Sequence, residues 1–448
     1  KRWRPSRPPA QAHTYASDGG RSGNVVNPSS SASDSAGTAL QPLGQDVRTL
    51  LSLMVPLLTG SVLASLTILA NTVIVGRSES NGLLLSGLFL PFSMLMVSVI
   101  ESLRAALTVY ATQAEDDRGL RLMVCGFAAE GAVLMLLVAA AVTALGGLIF
   151  RRLDAPQETL AYAARFVTWM QVASAVLVAG VLANAAVFAR GLARRALATS
   201  IAANLVNLGV TSACAFLLQQ GAFGAVWGTL AAGSVMFIVS FASLPSAAGS
   251  WTHWRAAAGR VFKMTRAIAL PVFGSYLVLS VYAAALHDVL MSIGPDAVAG
   301  FGVANRLQSL LMMPAAALGT ALAIRAGGMH RGSGGDVGVA RLVGRALWFG
   351  LVLYALISAV TVAAQPFITP LMAGAEAASV LRDYLLIVGP SFLFFGPMLA
   401  MLIYLEQAGH GRLALPFNVI SLAITFAVVY AVASRRHQVH DVFIAIAG

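Results

Sequence analysis

A few ionisable side chains stand inside long apolar runs of this sequence, and they define the chemistry open to it. Such a group in hydrocarbon is costly and is by default a candidate for function. Asp288 follows His287 late in one run. A carboxyl there either exchanges protons inside the membrane or is an ordinary helix-end acid wetted by the Ile293-Gly-Pro-Asp296 loop. Glu101 precedes Arg104 by three residues, a spacing that puts both on one face of a helix. They either neutralise each other or serve in ion coupling. Glu130 reads as a hydrogen-bonding partner between helices. Arg165 and Arg306 snorkel toward an interface or pair with carbonyls, whereas Glu406 reads as a wetted acid at a helix end.

The composition says what must hold these groups. The chain has 448 residues, 58% of them hydrophobic and 10% charged, with a mean hydropathy of +0.79. A soluble domain is about a quarter charged, so a soluble globule and a disordered chain are both excluded. The net charge of +11 arises from 29 basic and 18 acidic residues, the basic ones scattered singly or in twos and threes. That scatter argues against nucleic-acid binding. Cys125 and Cys214 are too few for a disulfide framework or a zinc site. The chain lacks a phosphate-binding loop and the HExxH, GxSxG and CxxC patterns, so nothing points to an enzyme or a bound metal.

A spanning helix needs about 20 apolar residues. Eleven runs qualify: 50–75, 83–112, 122–150, 162–188, 196–218, 222–244, 267–293, 297–324, 342–371, 384–405 and 413–433. The last run, 439–448, is half that length and is either no span or a truncated twelfth. Residues 1–45, rich in Ser, Gly, Pro and Ala, read as a disordered cytoplasmic tail. Residues 251–266 read as a basic cytoplasmic linker between a six-helix bundle at 46–250 and a second at 267–448. One set of loops with the tail holds 20 basic residues and the other six, which places the N-terminus in the cytoplasm.

The two bundles repeat each other. Pro56 and Pro271 open the first span of each half, and Arg195-Ala-Leu-Ala and Arg412-Leu-Ala-Leu open the fifth. Six spans per half keep one orientation, so the fold class is an all-α polytopic membrane protein whose halves are related by a pseudo-two-fold along the membrane normal. Pro271, Pro314, Pro390 and Pro397 interrupt helical hydrogen bonding and are hinge candidates, with tolerated kinks fixed by packing as the alternative. Aromatic and Met side chains such as Met94, Trp169, Tyr276 and Phe394 either line an adaptable cleft or face lipid.

Several stretches resemble the multidrug and toxic compound extrusion (MATE) family, within a superfamily that includes lipid-linked precursor flippases. They are Asn71-Thr-Val-Ile-Val-Gly76-Arg, Asn204-Leu-Val-Asn207-Leu with Gly221-Ala-Phe-Gly-Ala, Gly300-Phe-Gly-Val-Ala-Asn305-Arg306 with Pro314-Ala-Ala-Ala-Leu-Gly-Thr-Ala, and Ala408-Gly-His-Gly-Arg412. The resemblance implies a multi-pass transporter of the bacterial inner membrane that acts as a monomer. It would expel organic, often cationic, compounds by alternating access against proton or sodium entry, without a cofactor. A flippase is the alternative. Asn207, Asn305, Arg306, Arg104 and His287 then become cleft or transport candidates, and Asn71 joins Asp288 and Glu101 as an ion-coupling candidate. Asn71 stands where the family has a coupling acid. It cannot titrate, although its carbonyl could serve sodium. The family's acids after the seventh-span proline and in span ten are also missing, as Ser275-Tyr-Leu-Val-Leu-Ser and Phe392-Leu-Phe-Phe-Gly-Pro-Met show.

Overall fold

In lipid every backbone N–H and C=O must be paired within the protein, and a long apolar run achieves this as a helix. The computed structural model describes residues 43–447, apart from 80–81, 114–118, 150–156, 246–250, 294, 332–334, 373–374 and 437–438. The tail expected over 1–45 lies almost wholly outside the described residues.

The first half comprises α1 (Leu43–Ser78), α2 (Gly82–Gln113), α3 (Leu120–Ile149), α4 (Gln157–Ala189), α5 (Ala193–Ser212) and α6 (Phe223–Ala242). The second half comprises α8 (Leu270–Ile293), α9 (Pro295–Arg331), α10 (Gly335–Met372), α11 (Ala375–Ile387), α12 (Phe392–Leu405), α13 (Gly411–Arg436) and the short α14 (Val439–Ala447). Ten described segments are long and apolar enough to cross a membrane, one of them running through α11, α12 and α13. The chain is an integral, multi-pass, all-helical membrane protein.

The segment between the halves differs from the loop expected there. Residues 251–264 form a helix, α7 (Trp251–Met264), followed by a π-helical stretch, Thr265–Ala269, that leads into α8. The helix forms because one face has a wall to pack on. Ala257 and Val261 are buried, and Val261 fits over Gly126 of α3, where a Cβ would meet it at 2.7 Å. The Thr265 hydroxyl donates to Glu130 of α3 at 2.7 Å, so Glu130 does bridge helices.

Small residues draw the first-half helices together. Gly233 of α6 lies so close to α4 that a Cβ would be 2.7 Å from the backbone of Leu177. Gly228 fits against Thr211 and the Asn207 carbonyl of α5. Between helices in lipid, where no water is expelled, such close backbone packing is a main source of association. The second half has its own apolar core around Leu290, Leu318, Tyr354, Tyr384, Leu385 and Phe392. In α14, Phe443 is fully buried, edge-on to Tyr384 with ring centroids 5.2 Å apart, so this short helix is a packed part of the core.

The halves meet unevenly. Leu50 and Met54, near the start of α1, are 1% and 5% exposed and belong to the core of the second half. Eighteen residues make five full helical turns, so Ile68 lies on the same line of α1 as Leu50. Ile68 is 66% exposed. Leu66, Leu69 and Val73 are exposed too. The second half therefore covers this line of α1 at its N-terminal end and is parted from it toward the other end.

Candidate functional site

Two groups of polar residues stand out within this frame. The first lies in the first half, toward the parted end. Asn71 of α1 donates through Nδ2 to Oδ1 of Asn207 of α5 at 2.7 Å. Asn207 is buried and Asn71 half-buried, and Oδ1 of Asn71 is buried without a hydrogen-bond partner. Thr211, one turn on along α5, is fully buried with an unpartnered Oγ1. Gln171 of α4 is 1% exposed, and both its amide atoms lack partners. It stands at the same level, because its neighbour Met170 touches Thr229 of α6 while the adjacent Gly228 lies on Asn207 and Thr211. Buried polar atoms are nearly always paired, so four unpaired ones at one level mark a place built to receive something. The four side chains are neutral. They offer oxygens and an amide but no group that changes charge.

The second group lies where the halves are closed. Glu101 and Arg104 of α2 form an ion pair on one face, about one-quarter exposed. Both π-helical stretches of the second half converge on α2: Thr265–Ala269, and Glu406–His410 between α12 and α13. Gly409, with φ +89°, turns the chain there, and Val109 of α2 and Ile268 lie over it. Glu406 is not the wetted acid expected from its sequence. It is 5% exposed, lies beside Ser275 of α8, and stands within electrostatic reach of Glu101. The Tyr276 hydroxyl is within reach of Glu101, Glu406 and Arg104. The sequence Leu405-Glu-Gln-Ala-Gly-His-Gly looks like a polar turn. The π-turn holds its first two residues inside, and Gln407 is also buried, at 4%.

The other candidates are placed separately. Asp288 and His287 fall in the last turns of α8, and their side chains lie outside the described residues. Asn305 and Arg306 of α9 are exposed. The Arg165 guanidinium sits over the Phe223 ring at 5.6 Å. Arg104, Arg165 and Arg306 thus have three different surroundings. Pro271 lies in the first turn of α8. Pro314 is inside α9, where the Tyr354 hydroxyl of α10 fills the break, accepting from the Ala315 N–H at 2.9 Å and donating to the Leu311 carbonyl at 3.0 Å. Pro390 lies in a 3-10 turn, Gly389–Ser391, that separates α11 from α12. The Gly389 carbonyl there accepts from Ser358, again of α10, at 2.8 Å. Pro390 and Pro397 are therefore not in one continuous helix, since Pro397 belongs to α12.

At the parted end Glu79 accepts from the Tyr162 hydroxyl and the Ala222 N–H, both at 3.1 Å, beside an open cavity of about 390 Å³ lined by Arg77, Gln219 and Gln220.

Residues 271–431, covering α8 to most of α13, match the MatE family model. The match spans about a third of the chain, so its second half is similar to the MATE family. The family is one of transporters, not enzymes. No curated protein sequence matches the chain. Solved structures share its fold throughout. An Asp-to-Asn mutant of the Vibrio cholerae MATE transporter VcmN superposes with a TM-score of 0.83 at 19% identity, over 90% of this chain and 93% of that one. A MOP-superfamily transporter from Pyrococcus furiosus, described as having a binding pocket of reverse polarity and a suggested different function, gives 0.76 at 19% identity, over 90% and 92%. A multidrug resistance MATE transporter in an outward-facing conformation gives 0.76 at 18%, over 89% and 91%.

Proposed function

We propose that this chain, similar to MATE transporters in its second half and in its fold, is a secondary active exporter. It would carry organic compounds, often cationic, across the bacterial inner membrane by alternating access, driven by proton or sodium entry. The observation that carries the reading is the line along α1. Leu50 is sealed against the second half, and Ile68, five turns on, is open. Two halves that part at one end and close at the other form one of the two states that alternating access requires. With the N-terminus in the cytoplasm, as the basic loops indicate, the cleft opens outward. Apolar side chains such as Ile68 and Val73 at the parted end, with Asn71 and Asn207 beside them, suit an amphipathic organic solute.

A flippase for a lipid-linked pyrophosphate would favour cationic side chains around one cavity. The separate surroundings of Arg104, Arg165 and Arg306 speak against that use. The test is uptake of a fluorescent organic cation into proteoliposomes under an imposed proton gradient and then a sodium gradient. Gradient-driven uptake is the expected result. Inserted protein without a response to either gradient would overturn the exporter reading.

A further inference from the structure

The polar group in the first half contains no side chain that can change its charge, so it cannot carry a proton by titration, and a buried acid elsewhere is the better place for a driving cation. Glu406 is the acid best placed for it. Arg104 is committed to Glu101, and among the described residues no basic side chain forms an ion pair with Glu406. Two carboxylates within electrostatic reach share one guanidinium, which leaves the group one positive charge short. A buried carboxylate without a counter-charge is costly, and a bound cation removes that cost.

The surroundings support the same reading. The facing elements bring Ser275 and Tyr276 from α8 and Glu101 and Arg104 from α2. Among the described side chains, the other charged groups on neighbouring elements are Arg325 of α9, half-buried, and Arg306, Arg266, His410 and Arg412, all exposed. Gln407, next in the chain, is buried with its Oε1 unpartnered, so the segment holds a spare oxygen acceptor.

The turn geometry gives an independent argument. Gly191 in the first half and Gly409 in the second both have positive φ, +80° and +89°, and each turns the chain just before the fifth long helix of its half. Three residues before Gly191 stands Phe188, 8% exposed. Three residues before Gly409 stands Glu406, 5% exposed. The turn accommodates an apolar side chain at that position in one half, and the other half carries a carboxylate there. Packing alone does not call for the acid.

We propose that Glu406, with Glu101 beside it, binds the coupling monovalent cation, proton or sodium, and that the bound cation holds the halves together at the N-terminal end of α1. Loss of the cation leaves two carboxylates facing each other between the halves, and that end opens. The proposal rests on the exporter reading for its role in transport, but the binding and the opening can be measured without it.

The experiment uses the full chain in liposomes, with Cys125 and Cys214 changed to Ala and Met54→Cys as reporter. Labelling by a water-soluble thiol reagent is followed against pH at fixed sodium, and against sodium at fixed pH. For a proton site, labelling rises as pH rises. For a sodium site, labelling rises as sodium is withdrawn. In either case Glu406→Gln abolishes the response and Glu101→Gln weakens it. Glu406→Phe, which copies the first-half turn, keeps the protein folded and the closed end sealed under all conditions. An unchanged response in both Glu406 variants, or no response to either cation in the parent, overturns the proposal. Organic-cation transport is measured in the same liposomes. A parent that does not transport but shows a response requiring Glu406 sinks the exporter reading and leaves the cation site standing. A parent that transports, with Glu406→Gln transporting equally under the gradient, sinks the cation site alone.

Discussion

At the residue scale, the sequence exposes what lies close along the chain and hides what the fold brings together. The Glu101–Arg104 pair follows from three-residue spacing on a helix. Asn71 and Asn207 are 136 residues apart, and only the family resemblance marked both before their 2.7 Å hydrogen bond was seen. Glu406 was misread because its neighbours Gln407, Gly409, His410 and Gly411 have the composition of a wet turn. Only the positive φ of Gly191 and Gly409 pairs that turn with the one holding Phe188, because the sequence repeat that matches Arg195 with Arg412 is one residue out of that register. Asn207→Leu removes the partner of the Asn71 amide. The expected cost is about 1–3 kcal/mol, the usual penalty for a buried polar group left unpaired. Thermal unfolding in detergent would measure it, and an unchanged midpoint would show that water replaces the bond. Transport should fall in the same variant.

At the element scale, the spans were legible because about 20 apolar residues in lipid leave the backbone no alternative to a helix. The breaks were less legible. A proline reveals where a helical hydrogen bond is missing, but not whether another helix supplies a substitute. At Pro314 the substitute is Tyr354, and at the Pro390 turn it is Ser358, both from α10. These two kinks are held by hydroxyls from one neighbour. Tyr354→Phe should destabilise the protein by about 1–3 kcal/mol through the unpaired Ala315 N–H and should speed amide exchange near Pro314. Amide exchange by mass spectrometry checks it, with Ser280→Ala of α8, whose hydroxyl bonds only within its own helix, as the comparison. Gly228→Val should be worse tolerated, because a Cβ there would lie 2.7 Å from the Asn207 carbonyl. Overpacking of this kind costs roughly 1–3 kcal/mol. Here it would also force α5 away from α6 and disturb the Asn71–Asn207 bond, so the unfolding midpoint and transport should fall together. The linker was misread for a related reason. Trp251–Met264 has too many polar residues for a span, and its helix depends on the wall that α3 provides at Gly126 and Glu130.

At the scale of the whole molecule, the repeat foretold two halves but not which ends would touch. That depends on the match between Leu50, Met54 and the second-half core, which is a property of two surfaces and not of a pattern. The asymmetry can be checked directly. In a cysteine-free background, Ile68→Cys should react with a water-soluble thiol reagent much faster than Met54→Cys while the protein rests in this state. Equal rates would mean that the closed end is not sealed. The same asymmetry bears on the surrounding bilayer. A body pinched at one leaflet and splayed at the other displaces unequal amounts of lipid from the two monolayers. In an alternating-access exporter each transport cycle would exchange that inequality, and the curvature stress of the membrane itself would become one of the forces setting how often the protein turns over.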